Sequence, residues 1–462
     1  MPKKDPMKNT TSLVSPQRVS TLIRVALILA CASFASSVAN AMTPQVEQQI
    51  NAIQAMKSNF TPTEQKVSSN LVFRGRVAAG QSIGPAISVI DSAQATSTTM
   101  VKVSIGGKLS PAVRALIESN GGTVKAYAEK YNRIAATLPL PAIMLVAAHP
   151  DVQWIRESFA PLHNVGALTS QGYIAHGANL TGNVQGNGVK VGVMSDSASL
   201  AEVAALQASG DLNANASVLS GQAGSGTDEG AAMMEIVQDV APKATVIFAT
   251  VDDDPAVMIS NIQGLANAGC AIIVDDVTFF DEGAFQEGPI AQEVTSYVNS
   301  GGLYFSSAAN SGHFDGGTAG VWEGDFVNGG AAGGVLAGGG NYHNFAAGQH
   351  YDVLTVGGGG QIISLKWSDP LGASSNDYDV YALNSAETTI KGMSASTQNG
   401  TQDPFEIFQY NATPGDHLIV LKYSGAKRAL RLDTNRGELS IATNGATYGH
   451  NAGSSTIGCA AA

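Results

Sequence analysis

The sequence is poor in charge, in cysteine, and in the motifs that mark metal, nucleotide and nucleic-acid chemistry. Charged residues fill 13% of its 462 positions, about half the usual share. Basic residues are the scarcer sign, 25 against 37 acidic, so the net charge is −12. That balance argues against a nucleic-acid partner, whose phosphates it would repel. Three cysteines and no Cys-x-x-Cys pair exclude a disulfide scaffold. Eight scattered histidines without a His-Glu-x-x-His string argue against a zinc site. No phosphate loop or dinucleotide fingerprint occurs. Proline is sparse at 17, and glycine reaches 52 with no Gly-X-Y period, so collagen is excluded. The remainder is 44% hydrophobic, enough to build a large core over two or three domains.

Residues 1–41 read as an export signal. Lys3, Lys4, Lys8, Arg18 and Arg24 lead into an apolar run over 25–32, and Ala39-Asn40-Ala41 has the small-x-small form of a signal-peptidase site before Met42. The run is too short to span a bilayer well. Five positive charges and one negative (Asp5) leave with it, taking the net charge from −12 to −16. Cys31 leaves too, and Cys270 with Cys459 allows one disulfide at most. The expected location is periplasmic or extracellular, with no transmembrane span after cleavage.

Residues 42–99 are polar and Ser/Thr/Gln-rich and read as a leader and linker with a weak helical pattern near 46–56. Gly80-Gln81-Ser82-Ile83-Gly84 matches the G-x-S-x-G elbow string, but Pro85 follows and no helix begins, so the match is chance. Residues 100–157 spell strands and helices in the order β-α-β-β-α-β, the split ferredoxin-like arrangement. After a linker over 158–185, continuous apolar runs at 189–194, 245–251, 271–277 and 303–309 alternate with helical patterns at 229–240, 255–268 and 289–299. Such runs are strands buried on both faces of a parallel sheet, which gathers its sites at the carboxyl ends of the strands. This α/β unit covers 186–345. Thirteen glycines in residues 312–349 mark a loop-rich stretch, and alternating segments over 346–445 read as an inserted β-sandwich. The α/β unit resumes over 446–462.

Three strand-end or helix-start positions could carry chemistry. Asp196 follows the first buried strand, Glu229 lies in the glycine-framed turn Gly226-Thr227-Asp228-Glu229-Gly230, and Asn310 follows the strand at 303–309. Each alone has a plainer role, as a turn residue or helix cap. Together, with a helix ending in Val240-Ala241-Pro242 and a strand running into Ala308-Ala309-Asn310-Ser311-Gly312, they resemble the subtilase superfamily of serine peptidases.

The resemblance implies a secreted endopeptidase made as a zymogen, acting on protein or peptide substrates with no cofactor. Asp196 takes the orienting role, Glu229 the general-base position and Asn310 the oxyanion donor. The 100–157 unit is similar to the subtilisin propeptide, and the insert looks like a pre-peptidase C-terminal-type sandwich. Subtilisins have histidine where Glu229 stands. The sedolisin branch has glutamate there, but adds an aspartate where this chain has Met233 and uses aspartate where Asn310 stands. Glu235 and Asp239 repeat the i,i+4 acid spacing deeper in the helix and come next as candidates; Asp275 and Asp276 follow. The family nucleophile, in Gly-Thr-Ser-x-Ala-x-Pro, has no counterpart, since no Gly-Thr-Ser occurs. Either the chain is a truncated product or the serine never existed, so the chain as it stands is expected to be inactive as a peptidase; a non-catalytic exported binding protein is the rival expectation. Asp252–Asp254 and Asp377 with Asp379 are acidic turns that would suit structural calcium.

Overall fold

The computed structural model describes residues 53–81, 98–158, 172–178, 184–252, 254–331 and 340–460. Residues 1–41, expected as an export signal, and the elbow-like string from Ser82 onward lie outside them. The segment 53–81, expected as leader and linker, is helical and packed. Helix α1 (Ser69–Ala78) buries Leu71, Val72 and Phe73. Ahead of it Ile53 and Phe60 are also buried, the latter with its ring 5.8 Å from that of Phe73. Its many polar residues conceal this, because they pair with partners far along the chain.

The next unit holds β1 (Met100–Gly107), α2 (Pro111–Ser119), β2 (Thr123–Ala128), β3 (Arg133–Pro139), α3 (Ala142–Ala147) and β4 (Val152–Glu157). All its pairings are antiparallel, in the order β2-β3-β1-β4, the arrangement the β-α-β-β-α-β pattern requires. The edge of β4 is covered by the N-terminal segment through a parallel bridge between Val67 and Ile155.

A parallel sheet follows, whose first five strands are β5 (Lys190–Ser195), β6 (Ser217–Val218), β7 (Thr245–Thr250), β8 (Ile272–Asp275) and β9 (Leu303–Ser307). Its helices are α4 (Leu200–Ser209), α5 (Glu229–Val240), α6 (Pro255–Asn267) and α7 (Pro289–Asn299). Val193, Val246 and Phe248 pack with Val203, Ala231 and Met234 of α4 and α5. Met194, Ile247, Ala249, Ile273 and Tyr304 pack with α6 and α7, and Ala128 and Ala135 of the preceding unit join the same cluster. Apolar side chains on both faces of β5 and β7 therefore hold helices on both sides, each fully buried one contributing ~1.5–3 kcal/mol. Helix α6 starts where Pro255 sets the first turn and Asp254 Oδ1 accepts from the amide of Ala256 at 2.8 Å. Helix α4 was not legible, since apolar residues surround it and only Val203 is buried.

Among the described residues, eleven antiparallel strands form the sandwich. They are β10 (Val321–Asp325), β11 (Asn328–Ala331), β12 (Asn341–His343), β13 (Asp352–Val356), β14 (Gln361–Trp367) and β15 (Asp377–Leu383). Then come β16 (Ile390–Ser394), β17 (Phe405–Tyr410), β18 (Asp416–Ser424), β19 (Ala429–Asp433) and β20 (Glu438–Leu439). One sheet runs β10-β19-β14-β17; the other runs β11-β12-β18-β13-β20, with β15 and β16 branching from β18. Between them lie Trp322, Phe326, Leu354, Trp367, Tyr378, Leu418 and Leu432. Strands β10 to β12 belong to the sandwich although they precede residue 346, the boundary expected from sequence. Glycine hides the alternation there, as in the Asn-Gly-Gly-Ala of β11. The last strand, β21 (Ile457–Cys459), returns to the parallel sheet beside β9, completing the order β21-β9-β8-β5-β7-β6. Among the described residues no helix is long and apolar enough to cross a membrane.

Candidate functional site

The order of the parallel sheet defines where a site would form. From β5 the chain builds outward to β6 and β7 on one side, then crosses to β8 and β9 on the other. The crevice beyond the carboxyl ends of β5 and β8 is thus the topological switch point, where ligands bind in open α/β sheets.

Asp196 stands there, directly after β5. Its Oδ2 accepts from the Thr227 amide (2.5 Å) and the Thr227 hydroxyl (2.7 Å), and its Oδ1 accepts from the amides of Ser197 (2.5 Å) and Glu229 (3.1 Å). All are donors, the surroundings of an ionised carboxylate. The carboxylate thereby fastens the end of β5 to the first turn of α5, and Thr250 at the end of β7 donates its hydroxyl to the Asp196 carbonyl at 2.6 Å. Asp228, at a left-handed φ of 58°, is turned away to accept from the amide and hydroxyl of Ser199 at 2.7 and 3.1 Å.

The glycine frame has a steric cause. A Cβ on Gly226 would sit 2.3 Å from Asp196 Oδ2, and one on Gly230 would sit 2.1 Å from the Phe248 ring. Both glycines let the turn approach the sheet closely enough for these bonds.

Glu229 is the first residue of α5 and is 5% exposed. Its Oε2 accepts from the Ser195 hydroxyl at 2.7 Å, and Ser195 is itself fully buried. Asp196 and Glu229 are therefore neighbours joined through the Glu229 amide. Asn310 lies exposed after β9, on the same carboxyl edge but two strands from β5, or roughly 10 Å at normal strand spacing. Its loop turns at Ala309, with a left-handed φ of 67°, and is braced by the Thr447 hydroxyl on the Ala308 carbonyl (2.8 Å) and the Asn451 amide on the Ser307 carbonyl (3.0 Å).

The other carboxylates are occupied elsewhere. Glu235 is half-buried among Asp211, Asp239 and Glu202, and burial first, then those neighbours, raise it above the usual carboxylate range. With the exposed Asp239 it lies deeper along α5, away from the crevice. Asp275 turns inward from the end of β8 and accepts from the Ser306 hydroxyl at 2.8 Å; Asp276 beside it is half-buried. Asp254 caps α6 and accepts from the Ser158 hydroxyl at 2.9 Å, with burial pushing it up to about 6. Asp377 and Asp379 hold the ammonium of Lys57.

Sequence reasoning missed a buried ionic network behind this edge. His450 lies 2.5 Å from Glu282 Oε2 through Nδ1 and 3.4 Å from Asp275 Oδ1 through Nε2. Burial works against its charge, but Glu282 and Asp275 outweigh it and bring the imidazole up to about 10. Asn451 adds donations to Ser306 Oγ and the Val277 carbonyl, each at 2.8 Å. Nothing in the local pattern around His450 marks it, since both its carboxylates come from a distant stretch of chain.

No known protein family matches the chain, and no curated protein does. Among solved structures, it is similar to an epidermin leader peptide processing serine protease from Staphylococcus aureus, with TM-score 0.31, 10% identity, and coverage of 46% of this chain and 61% of that one. It is also similar to fervidolysin from Fervidobacterium pennivorans, a keratinolytic enzyme related to subtilisin, with TM-score 0.28, 13% identity, and coverage of 46% and 40%. The chain thus aligns with about three fifths of the first protease's length. Likeness at this level assigns no family.

Proposed function

We propose that the crevice beyond β5 and β8 is a serine-peptidase site of the subtilase type, in an exported protein whose residues 1–41 are the export signal. Glu229 would take the proton from a nucleophilic hydroxyl, Asp196 would fix Glu229 and its turn, and Asn310 would donate to the oxyanion of the tetrahedral intermediate. The observation that carries this reading is the wiring of Asp196. One carboxylate at the switch point binds the amides of Thr227 and Glu229 and so fixes a glutamate at a helix start. The 100–157 unit would serve as a propeptide. In support, the chain leaves β4 at Ser158 and at once meets Asp254, just past the end of β7 on the same sheet edge.

A second reading, a non-catalytic binding protein on this scaffold, is favoured by one specific observation. The hydroxyl on Glu229 is that of Ser195, which no solvent-borne peptide can reach. The two readings part in one experiment: hydrolysis of casein and quenched peptides from pH 3 to 8, with fluorophosphonate labelling, for the chain and its Glu229→Gln and Asp196→Asn variants. Turnover and labelling abolished by Glu229→Gln support the peptidase. Turnover indifferent to Glu229→Gln rejects Glu229 as the base; absence of both in the parent chain is the outcome expected without the Gly-Thr-Ser serine and leaves binding as the function of this chain.

A further inference from the structure

We propose that the β-sandwich carries a binding site for the ammonium group of a lysine side chain, and that Lys57 is its resident occupant. Lys57 Nζ lies 2.8 Å from Asp377 Oδ1 and 2.5 Å from Asp379 Oδ1, both on β15, and 4.4 Å from the centroid of the Tyr423 ring on β18. All three polar partners are buried, with Lys57 at 3% and Asp379 at 0% exposure. Aromatic face plus carboxylate is the chemistry that selects an organic ammonium. A calcium ion would want six to eight oxygens, and a ring face supplies none. Among the described residues no set of three or more acidic, histidine or cysteine side chains is arranged to hold a metal.

The site is built by the sandwich. Tyr381 donates to Asp379 Oδ2 at 3.4 Å. Glu406, the third carboxylate acting on Lys57, is held by the Ser394 hydroxyl, the Ser396 amide (2.9 Å) and Gln398 Nε2 (2.8 Å). Three carboxylates face one cation, so the pocket has an excess of acceptor charge. Burial pushes Glu406 up to about 7, which offsets part of that excess with a proton. Burial disfavours charge on Lys57 as well, yet the carboxylates prevail and raise it above the ordinary lysine range.

The occupant is read by more than its charge. Residues 53–58 are helical, so Gln54 and Lys57 share one face at i,i+3 spacing. Gln54 Nε2 donates to the Tyr381 hydroxyl at 2.9 Å and to Asp379 Oδ2 at 3.2 Å. The pocket thus takes a Gln-x-x-Lys helical face. In this chain the ligand is covalently attached some 320 residues upstream, and a peptide bearing the same face has the chemistry to replace it.

Chemical rescue of the full chain tests the assignment. Lys57→Ala should lower the Tm, and n-butylammonium should raise it again by a few degrees in a saturable manner, with n-butanol inert and the parent chain unresponsive. Asp379→Asn added to Lys57→Ala should abolish the response. If Lys57→Ala fails to fold alone, refolding yield in n-butylammonium against n-butanol gives the same reading. An equal response to butanol, an equal response in the parent chain, no response at all, or stabilisation by calcium in place of butylammonium overturns the proposal.

Discussion

Asp196 and Asp379 are both buried carboxylates, and the protein satisfies them in opposite ways. At the edge of the parallel sheet, Asp196 is held by backbone amides and a threonine hydroxyl from a turn some 30 residues on, the separation to Thr227 being 31. On the sandwich, Asp379 is held by an ammonium 322 residues away. The first kind of solvation is fixed by the path of the chain and survives most side-chain changes nearby. The second depends on side chains, with one flexible lysine supplying the countercharge, and its loss leaves charge stranded in the interior. Polar order around the proposed active site is therefore built into the backbone, whereas the polar attachment of the N-terminal segment to the sandwich is a matter of charge pairing. Arg133 and Arg156 extend the same device, both pairing with Asp403 at 3.3 and 2.8 Å.

The contrast is broken most severely at Lys57. Lys57→Met removes the one cation facing three buried carboxylates and should cost about 5 kcal/mol at pH 7, the upper end for a buried pair losing one partner. Urea unfolding at pH 7 and pH 4 checks this, because the loss should shrink once the carboxylates are protonated. A cost below about 1 kcal/mol at both pH values would show that the clasp is not charged.

His450 is the next largest effect, and it tests whether charge pairing also operates inside the parallel-sheet unit. Its folded value is raised from 6.5 to about 10. Its contribution is complete below pH 6.5 and disappears as pH climbs through 10. The parent chain should lose on the order of 5 kcal/mol across that window, at about 1.36 kcal/mol per pK unit. The slope should be absent in His450→Gln, as read by denaturant midpoints at half-unit steps.

Asp196→Asn sharpens the other side of the comparison. One amide group cannot accept from all these donors, so at least one of them loses its partner, at about 2 kcal/mol. Hydrogen exchange at the Thr227 and Glu229 amides should accelerate while the sandwich amides stay protected. Uniform acceleration across both units would contradict a locally wired site.

Glu406→Gln should be the mildest change, within about 1 kcal/mol near pH 4.5, where both side chains are neutral. With its folded value raised to about 7 from 4.5, the parent glutamate lets stability fall as pH rises through that interval. The variant should be flat there, and a thermal scan from pH 4 to 8 shows whether it is.

The same contrast explains what the residues revealed in advance. Parallel strands were legible because burial on both faces leaves uninterrupted apolar runs such as Thr245–Thr250. The β-α-β-β-α-β succession over 100–157 was legible because its turns and helix starts are local. The turn at 226–230 could be singled out because each glycine clears a specific neighbour, Asp196 or Phe248. Residues 53–81 could not be read, because a polar lysine in a polar stretch signals nothing until Asp377 and Asp379 are brought to it. His450 was hidden for the same reason, its carboxylates lying 168 and 175 residues away. Ser195, adjacent to Asp196, was overlooked because an end-of-strand serine is ordinarily a cap, not a donor to a buried glutamate.

The 320-residue span between Lys57 and Asp377 also sets a clock on biosynthesis. At ~5–20 residues per second, the acidic strand follows the lysine out of the ribosome by roughly 16–64 s. Helical turns form in under a microsecond or so, so the segment bearing Lys57 is ready long before its receptor exists. During that interval its ammonium stays hydrated and its apolar face stays open to chaperones or to other nascent chains. The segment bearing Lys57, made long before β15, is thus among the last to be secured, and a pause in translation before residue 377 would prolong its exposure.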